Sequence, residues 1–141
     1  MLTKRKSFKE IYIQLAYLMS SRSSCSRLKV GCVITSDDFR YVYAVGYNGS
    51  GSGLPNKCDH SDRQGQCGCL HAEINACINC TKDRHLSKVV FLTHSPCIQC
   101  SKALINLGGI KKIWYSEKYR DKKGLSLLKA QFKNKVFRMK S

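Results

Sequence analysis

The clearest signal in this sequence is His71-Ala72-Glu73, followed twenty-three residues after Glu73 by Pro96-Cys97-Ile98-Gln99-Cys100. One imidazole and two thiolates fill three of the four tetrahedral positions of a zinc ion and leave the fourth open for water, which is typical of a catalytic zinc site. Glu73 is not needed as a ligand, and its carboxylate is suited to take a proton from that water and pass it to a leaving amine. We therefore predict a catalytic zinc bound by His71, Cys97 and Cys100, with Glu73 as general acid and base.

The spacing within these stretches predicts two helix N-termini. Cys97 and Cys100 are three residues apart, so both thiolates lie on one face of the first turn of a helix, where the helix dipole favours the thiolate form. His71 and Glu73 are two apart and would point to nearly opposite sides of a regular helix. They can share a site only if the helix begins at His71, so we place a helix start there. The alternative is a set of scattered cysteines with an incidental H-x-E pattern.

Length and composition limit what surrounds this site. The chain has 141 residues, 43% of them hydrophobic, so we expect one domain spanning residues 1–141 with an ordinary core. No run approaches the roughly 18 apolar residues of a membrane span, and residues 1–6 are not followed by a signal-peptide core, so we expect a cytoplasmic protein without a membrane partner. Nine cysteines in that compartment indicate metal ligands and reduced thiols. The net charge of +16 favours polyanionic partners, either nucleotides or nucleic acid.

The hydrophobic pattern predicts alternating helices and strands. The predicted helices are residues 7–20, 71–82, 97–107 and 124–132, and the predicted strands are residues 29–35, 39–47, 88–93, 110–116 and 135–139. The first two strands form a hairpin around Ser36-Asp37-Asp38. Residues 46–69, rich in Gly, Ser, Asn and Cys, indicate a long ordered loop. This order predicts an α/β domain in which helices cover both faces of one mixed sheet.

Several segments along nearly the whole chain carry family motifs. They are residues 26–34, 46–49, 71–76, 93–100, 109–112 and 115–119. H-x-E with P-C-x-x-C is the zinc deaminase signature, so the chain resembles the cytidine deaminase superfamily. Gly46-Tyr47-Asn48-Gly49 and the Tyr119 segment are similar to those of the bacterial and phage deoxycytidylate (dCMP) deaminases. The resemblance implies a three-layer α/β/α fold with a mixed five-stranded sheet, one catalytic zinc, and hydrolysis of dCMP to dUMP and ammonia, feeding thymidylate nucleotide synthesis.

Substrate-binding residues are also implied by this resemblance. Asn48 resembles the family asparagine that holds the sugar hydroxyl, and Tyr119 resembles an aromatic residue near the substrate. A packed tyrosine at the end of a strand would explain Tyr119 equally well. Arg27 and Lys29 can reach the monophosphate, although a cation on so basic a surface can instead be solvated.

The other seven cysteines divide into two groups. Cys32, Cys77 and Cys80 fall within a predicted strand and helix, where a free cysteine behaves as a small buried hydrophobe, although Cys77 and Cys80 have ligand spacing. The second group is expected, by resemblance, to hold a structural zinc like that of some phage family members. Its implied ligands are Cys25, Cys58, His60 and Cys69. Cys69 replaces a family carboxylate, and Cys67 is a spare that could displace any of the four.

Regulation is likewise an expectation from the family. Its members are typically hexamers activated by dCTP and inhibited by dTTP, with the effector against a glycine-rich loop that here contains Gly49, Ser50 and Gly51. Glycines let backbone amides approach a triphosphate closely. The resemblance therefore implies a homo-hexamer with dCTP, accompanied by Mg²⁺, and dTTP as effectors.

Two other functions remain open at this stage. A polynucleotide deaminase acting on tRNA or single-stranded nucleic acid would explain the positive charge. That branch usually has an arginine where Gly49 follows Asn48, and it lacks the cysteine-rich loop, so nucleic acid is not the expected partner. A zinc-stapled binding module without turnover is the third possibility, and it would have no need of Glu73.

Overall fold

The computed structural model describes residues 4–58 and 67–140. Within those ranges the chain forms four α-helices, five strands and one 3-10 turn. In chain order they are α1 (Phe8–Ser20), β1 (Gly31–Ser36), β2 (Val42–Tyr47), α2 (Ala72–Asn79), β3 (Lys88–His94), α3 (Ile98–Leu107), β4 (Ile110–Glu117), α4 (Lys123–Phe132), the 3-10 turn Lys133–Lys135 and β5 (Val136–Arg138). No helix in these ranges has both the length and the apolar character required to cross a membrane.

The strands form one mixed sheet in the order β2-β1-β3-β4-β5. β1 is antiparallel to both β2 and β3, whereas β3, β4 and β5 are parallel to one another. The predicted mixed five-stranded sheet is therefore confirmed. Because β3 and β4 are parallel, their carboxyl ends meet at the same edge of the sheet, and the segments that follow them reach the same place.

Helices cover both faces, which confirms the three-layer α/β/α architecture. On one face α1 buries Ile13 and Ala16 against Val33 and Phe91. On the other face α2, α3 and α4 enclose a larger core built from Ile34, Ala76, Val90, Leu92, Leu104, Ile113 and Leu128. The β2 residue Gly46 allows α2 to lie directly on the sheet, because a Cβ at Gly46 would sit 2.3 Å from the carbonyl oxygen of Ala72.

The hairpin differs from its prediction at Phe39. We predicted a strand from Phe39, but β2 begins at Val42 and Phe39 has a left-handed backbone with φ 66°. Its ring lies 6.2 Å from that of Tyr12 and 6.1 Å from that of Phe91, measured between centroids. The apolar character of Phe39 therefore reflects packing under α1 and not strand pairing.

Other boundaries move by one to three residues. β1 begins at Gly31 instead of residue 29, and β5 is limited to Val136–Arg138. α2 ends at Asn79 instead of residue 82, because Cys80 already has an extended backbone with ψ 111°. Residues 80–87 instead make turns whose carbonyls face the amine of Lys88.

Candidate active site

His71 and Cys97 are the N-cap residues of α2 and α3. Their backbones are extended, with ψ angles of 151° and 174°. Both predicted helix starts are thereby confirmed. Because an N-cap residue lies outside the helical period, the His71 side chain can turn to the same side as Glu73 in the first turn of α2.

The ligand atoms of His71, Cys97 and Cys100 have the spacing of a metal site. The Nδ1 atom of His71 lies 3.2 Å from the Sγ atom of Cys100 and 3.5 Å from that of Cys97, and all three ligand atoms lie within 4.8 Å of one another. With Zn–S bonds of about 2.3 Å and Zn–N bonds of about 2.0 Å, the edges of a zinc tetrahedron are roughly 3.3 to 3.8 Å long. The donor set and its spacing therefore fit zinc, with His71 facing the two sulfur atoms through Nδ1.

The pKa values of Glu73 and Cys97 suit proton transfer and metal binding. Glu73 is only 4% exposed, and burial raises the pKa of its carboxyl to about 7. A carboxyl that titrates near neutral pH can both accept and donate a proton during a reaction. A hydrogen bond from the Cys100 thiol, aided by His71, lowers the pKa of Cys97 to about 4, so Cys97 is a thiolate, the form that binds zinc.

An open cleft lies over these residues. The lining residues come from the segment before β1, from Asn48, from residues 67–73, from the end of β3 and from the segment after β4. They are Cys25, Arg27, Leu28, Val30, Asn48, Cys67, Cys69, His71, Ala72, Glu73, His94, Ser95, Cys97 and Tyr119.

The cleft brings together three of the four predicted substrate residues. Arg27, Asn48 and Tyr119 line it together with Glu73, whereas Lys29 is exposed and is not one of its lining residues among those described. Asn48 also has a structural task. Its Oδ1 accepts a hydrogen bond from the Val30 amide at 2.8 Å, and its Nδ2 donates to the Leu28 carbonyl at 2.6 Å. Contact of these residues with a substrate stays a prediction.

His94, Ser95 and Arg120 were not among the predicted site residues, but they lie at or beside the cleft. His94 and Ser95 line the cleft, and burial lowers the pKa of His94, which favours a neutral ring. The Ser95 hydroxyl accepts a hydrogen bond from the Tyr119 amide at 2.8 Å. Arg120 lies over the Tyr119 ring and donates from Nη1 to its hydroxyl at 2.9 Å. A histidine between an apolar strand and Pro96-Cys97 was the available signal for His94.

Four further thiols form a second cluster. The Sγ atoms of Cys25, Cys58, Cys67 and Cys69 all lie within 4.8 Å of one another. The pairwise distances include 3.3 Å for Cys58–Cys69, 3.6 Å for Cys25–Cys58 and 3.7 Å for Cys25–Cys67. Our predicted set had His60 and kept Cys67 as a spare. His60 lies outside the described residues, and Cys67 completes a group of four thiols.

The remaining cysteines and the glycine-rich loop lie apart from these clusters. Cys32 is fully buried in the larger core, and Cys77 and Cys80 pack against that core, which confirms their prediction as small hydrophobes. Gly49, Ser50 and Gly51 line a separate open polar cavity together with Arg22, Asn75 and Asn79. An effector role for this loop stays a prediction.

Comparison with known proteins identifies the family. The cytidine and deoxycytidylate deaminase zinc-binding region matches residues 6–117. ComE operon protein 2 of Bacillus subtilis is 35% identical over 83% of this chain, and the deoxycytidylate deaminase of Saccharomyces cerevisiae is 35% identical over 89%. This chain spans only 63% and 43% of the lengths of those two relatives.

A solved structure gives the same result. The dCMP deaminase of cyanophage S-TIM5, in complex with dCMP and dUMP, superposes with a TM-score of 0.83 and 34% identity, covering 97% of this chain and 100% of that chain. The matched region contains both helix N-caps and Glu73. The chain therefore belongs to the cytidine and deoxycytidylate deaminase family, whose matched region binds zinc.

Proposed function

We propose that this protein converts dCMP to dUMP and ammonia by hydrolysis. The observation that carries the proposal is the buried Glu73 carboxyl beside the ligand atoms of His71, Cys97 and Cys100, in an open cleft that Arg27, Asn48 and Tyr119 also line. The Saccharomyces relative is a deoxycytidylate deaminase, and the cyanophage protein was solved with dCMP and dUMP bound. The reaction fits a cytoplasmic setting, where the thiols stay reduced.

Each catalytic residue has a defined task in this reaction. A zinc ion held by His71, Cys97 and Cys100 would supply a water of lowered pKa. Glu73 takes a proton from water as the water oxygen bonds to the ring carbon that carries the amine, and it gives that proton to the ring nitrogen. Glu73 then moves the proton of the new hydroxyl to the amine, so that the C–N bond breaks and ammonia leaves. Because burial raises the pKa of Glu73 to about 7, its carboxyl can both accept and donate a proton near neutral pH. His94 and Tyr119 line the same cleft as Glu73.

The second group of thiols supports a structural zinc site. Four thiolates make a closed tetrahedral set without an open position for water, which is typical of structural zinc. We therefore assign Cys25, Cys58, Cys67 and Cys69 as its ligands, with Cys67 in the place that we predicted for His60. The segments that contribute them have little regular secondary structure, so metal binding would supply part of the energy that orders them.

We also propose that nucleotides regulate the protein at the glycine-rich loop. The polar cavity that contains Gly49, Ser50 and Gly51 also contains Arg22, so it offers backbone amides and a cation to a triphosphate. This supports dCTP with Mg²⁺ and dTTP as effectors. The homo-hexamer rests on family resemblance.

The charge of +16 is the observation that favours a polynucleotide substrate instead. An assay of the purified protein with dCMP, dCTP, deoxycytidine and tRNA, measuring release of ammonia, separates the possibilities. We expect turnover of dCMP to be the fastest. Deamination of tRNA but not dCMP would refute the proposal, and no turnover of any substrate by zinc-loaded protein would indicate a binding module.

A further inference from the structure

Three of the four clustered thiols form part of the substrate cleft itself. Cys25, Cys67 and Cys69 lie in its wall beside Arg27 and Leu28. A metal ion bound by these thiols would therefore lie directly behind the surface that faces the substrate. A structural zinc that only stabilised the fold could lie anywhere in the protein. The position of this site in the cleft wall suggests that it also affects the cleft.

The backbone that follows Cys25 forms hydrogen bonds to sulfur atoms of the four-thiol cluster. The Ser26 amide donates a hydrogen bond to the Sγ atom of Cys58 at 3.2 Å, and the Arg27 amide donates to the Sγ atom of Cys25 at 3.4 Å. Such hydrogen bonds strengthen when the acceptor is a thiolate, and groups that bond metal ligands hold those ligands in their orientation. Binding of a metal would thus fix the turn that presents Arg27 and Leu28 to the cleft.

The same cluster is linked to the catalytic ligand on its other side. Cys69 is separated from His71 by Leu70 alone, and Leu70 pairs with Gly49 through two backbone hydrogen bonds of 2.7 and 3.1 Å. Gly49 follows Asn48, whose side chain bonds to Leu28 and Val30. The thiols, the cleft wall and the N-terminus of α2 therefore form one connected group.

We propose that the metal site formed by Cys25, Cys58, Cys67 and Cys69 positions the cleft wall, so that its occupancy sets the affinity of the protein for its nucleotide. The inference rests on the proposed function for the identity of that nucleotide, dCMP. In the metal-free state, the segment around residues 25–28 would have to be ordered when the substrate binds. The entropy lost in that ordering would weaken substrate binding.

The test compares Cys67→Ser with Cys80→Ser, which alters a half-buried thiol outside the cluster. Both are made in a Glu73→Gln protein, whose turnover of dCMP is strongly reduced, so that dCMP binding can be measured calorimetrically. We expect Cys67→Ser to hold about one zinc ion instead of two and to bind dCMP roughly tenfold to a hundredfold more weakly, whereas Cys80→Ser should change neither quantity. Circular dichroism confirms that each variant is folded.

A second measurement does not depend on the folding of Cys67→Ser. A Cys97→Ser/Cys100→Ser protein keeps the four-thiol site, and titration of its metal-free form with Cd²⁺ gives thiolate charge-transfer absorbance. We expect dCMP affinity to rise in parallel with that absorbance up to one equivalent. Loss of the second zinc without a change in dCMP affinity would overturn the inference, and so would retention of both zinc ions in Cys67→Ser. Failure of fully zinc-loaded Glu73→Gln protein to bind dCMP would instead refute the proposed function.

Discussion

Lys88 is a fully buried lysine at the start of β3. Its Nζ atom donates hydrogen bonds to three backbone carbonyls, those of Asp83 at 2.8 Å, Leu86 at 2.9 Å and Gly108 at 3.1 Å. These bonds connect the turns after α2 to the end of α3. The catalytic ligands His71 and Cys97 lie at the N-termini of α2 and α3. Lys88 therefore holds together the opposite, C-terminal ends of these two helices.

Lys88→Met keeps an unbranched side chain, one atom shorter than that of lysine, and removes all of its donors. A hydrogen bond to a charged group contributes about 1.5 to 3 kcal/mol, but the substitution also removes the cost of burying a charge, so we expect a net loss of about 2 to 4 kcal/mol in the free energy of unfolding. For a chain of this size that lowers Tm by roughly 5 to 15 °C. Urea denaturation gives the free energy directly, and Lys111→Met, at an exposed position of β4, is the control.

The pH dependence provides an independent check. Burial lowers the pKa of Lys88, so the folded state holds that proton less tightly than the unfolded state does. Lys88 therefore adds stability as pH rises from its depressed pKa to the ordinary lysine value of about 10.4, and it has no effect on the slope below that window. The variant lacks this gain, so its deficit relative to the wild type should widen at alkaline pH. A deficit below about 0.5 kcal/mol, or one that narrows as pH rises, would refute the assignment of a buried amine at Lys88.

Two further outcomes test the active site, and a third tests the glycine-rich loop. Glu73→Gln should retain the zinc content of the wild type and lose on the order of 100-fold or more in kcat, measured by ammonia release; loss of zinc with the activity would show that Glu73 is a ligand. A charge-assisted contact between Arg27 and the phosphate should make the catalytic efficiency with dCMP about tenfold to a hundredfold higher than that with deoxycytidine. Arg27→Gln should reduce this ratio, whereas Lys133→Gln should leave it unchanged. If deoxycytidine is turned over as efficiently as dCMP, the phosphate contact is wrong. Saturating dTTP should reduce the rate with dCMP, and an unchanged rate would contradict an effector site at Gly49–Gly51.

The catalytic group could be predicted because its geometry is local. Cys97 and Cys100 need only one helical turn to bring their thiolates together. His71 and Glu73, two residues apart, would point to opposite sides of a regular helix, so they can share a site only if the helix starts at His71. The structure has both features. The layers of the fold could be predicted for a similar reason, since alternating elements with one apolar face have few ways to bury it.

Lys88 and Phe39 show where sequence reasoning stopped. The hydrogen-bond partners of Lys88 are backbone carbonyls. Every residue has a backbone carbonyl, so no pattern of side chains in the sequence predicts which ones Lys88 contacts. Phe39 follows a turn and precedes an apolar run, so its pattern is that of a strand residue, although its ring belongs to the layer between α1 and the sheet. Both depend on contacts between segments distant in sequence.

The sequence limits the ligands of the second cluster to five candidate residues, but it does not show which four of them bind the metal. Spacing offers five ligand-type residues near the loop, and any four of them satisfy the chemistry of a structural zinc site. Only the positions of the sulfur atoms join Cys67 to Cys25, Cys58 and Cys69. Cys67 is buried, and its sulfur atom lies 3.7 Å from that of Cys25, so it stands where a fourth ligand would be needed.

Asn48 shows how a family assignment and a structural role can hold together. A side-chain amide has two N–H donors and an oxygen with two lone pairs. The bonds to Leu28 and Val30 use one donor and one lone pair, so one of each is left to serve a sugar hydroxyl in the cleft. Because Asn48 is only 6% exposed, both tasks need the same fixed rotamer. The bonds that hold the cleft wall therefore also orient the part of Asn48 that the resemblance assigns to the substrate, and neither task needs a second residue.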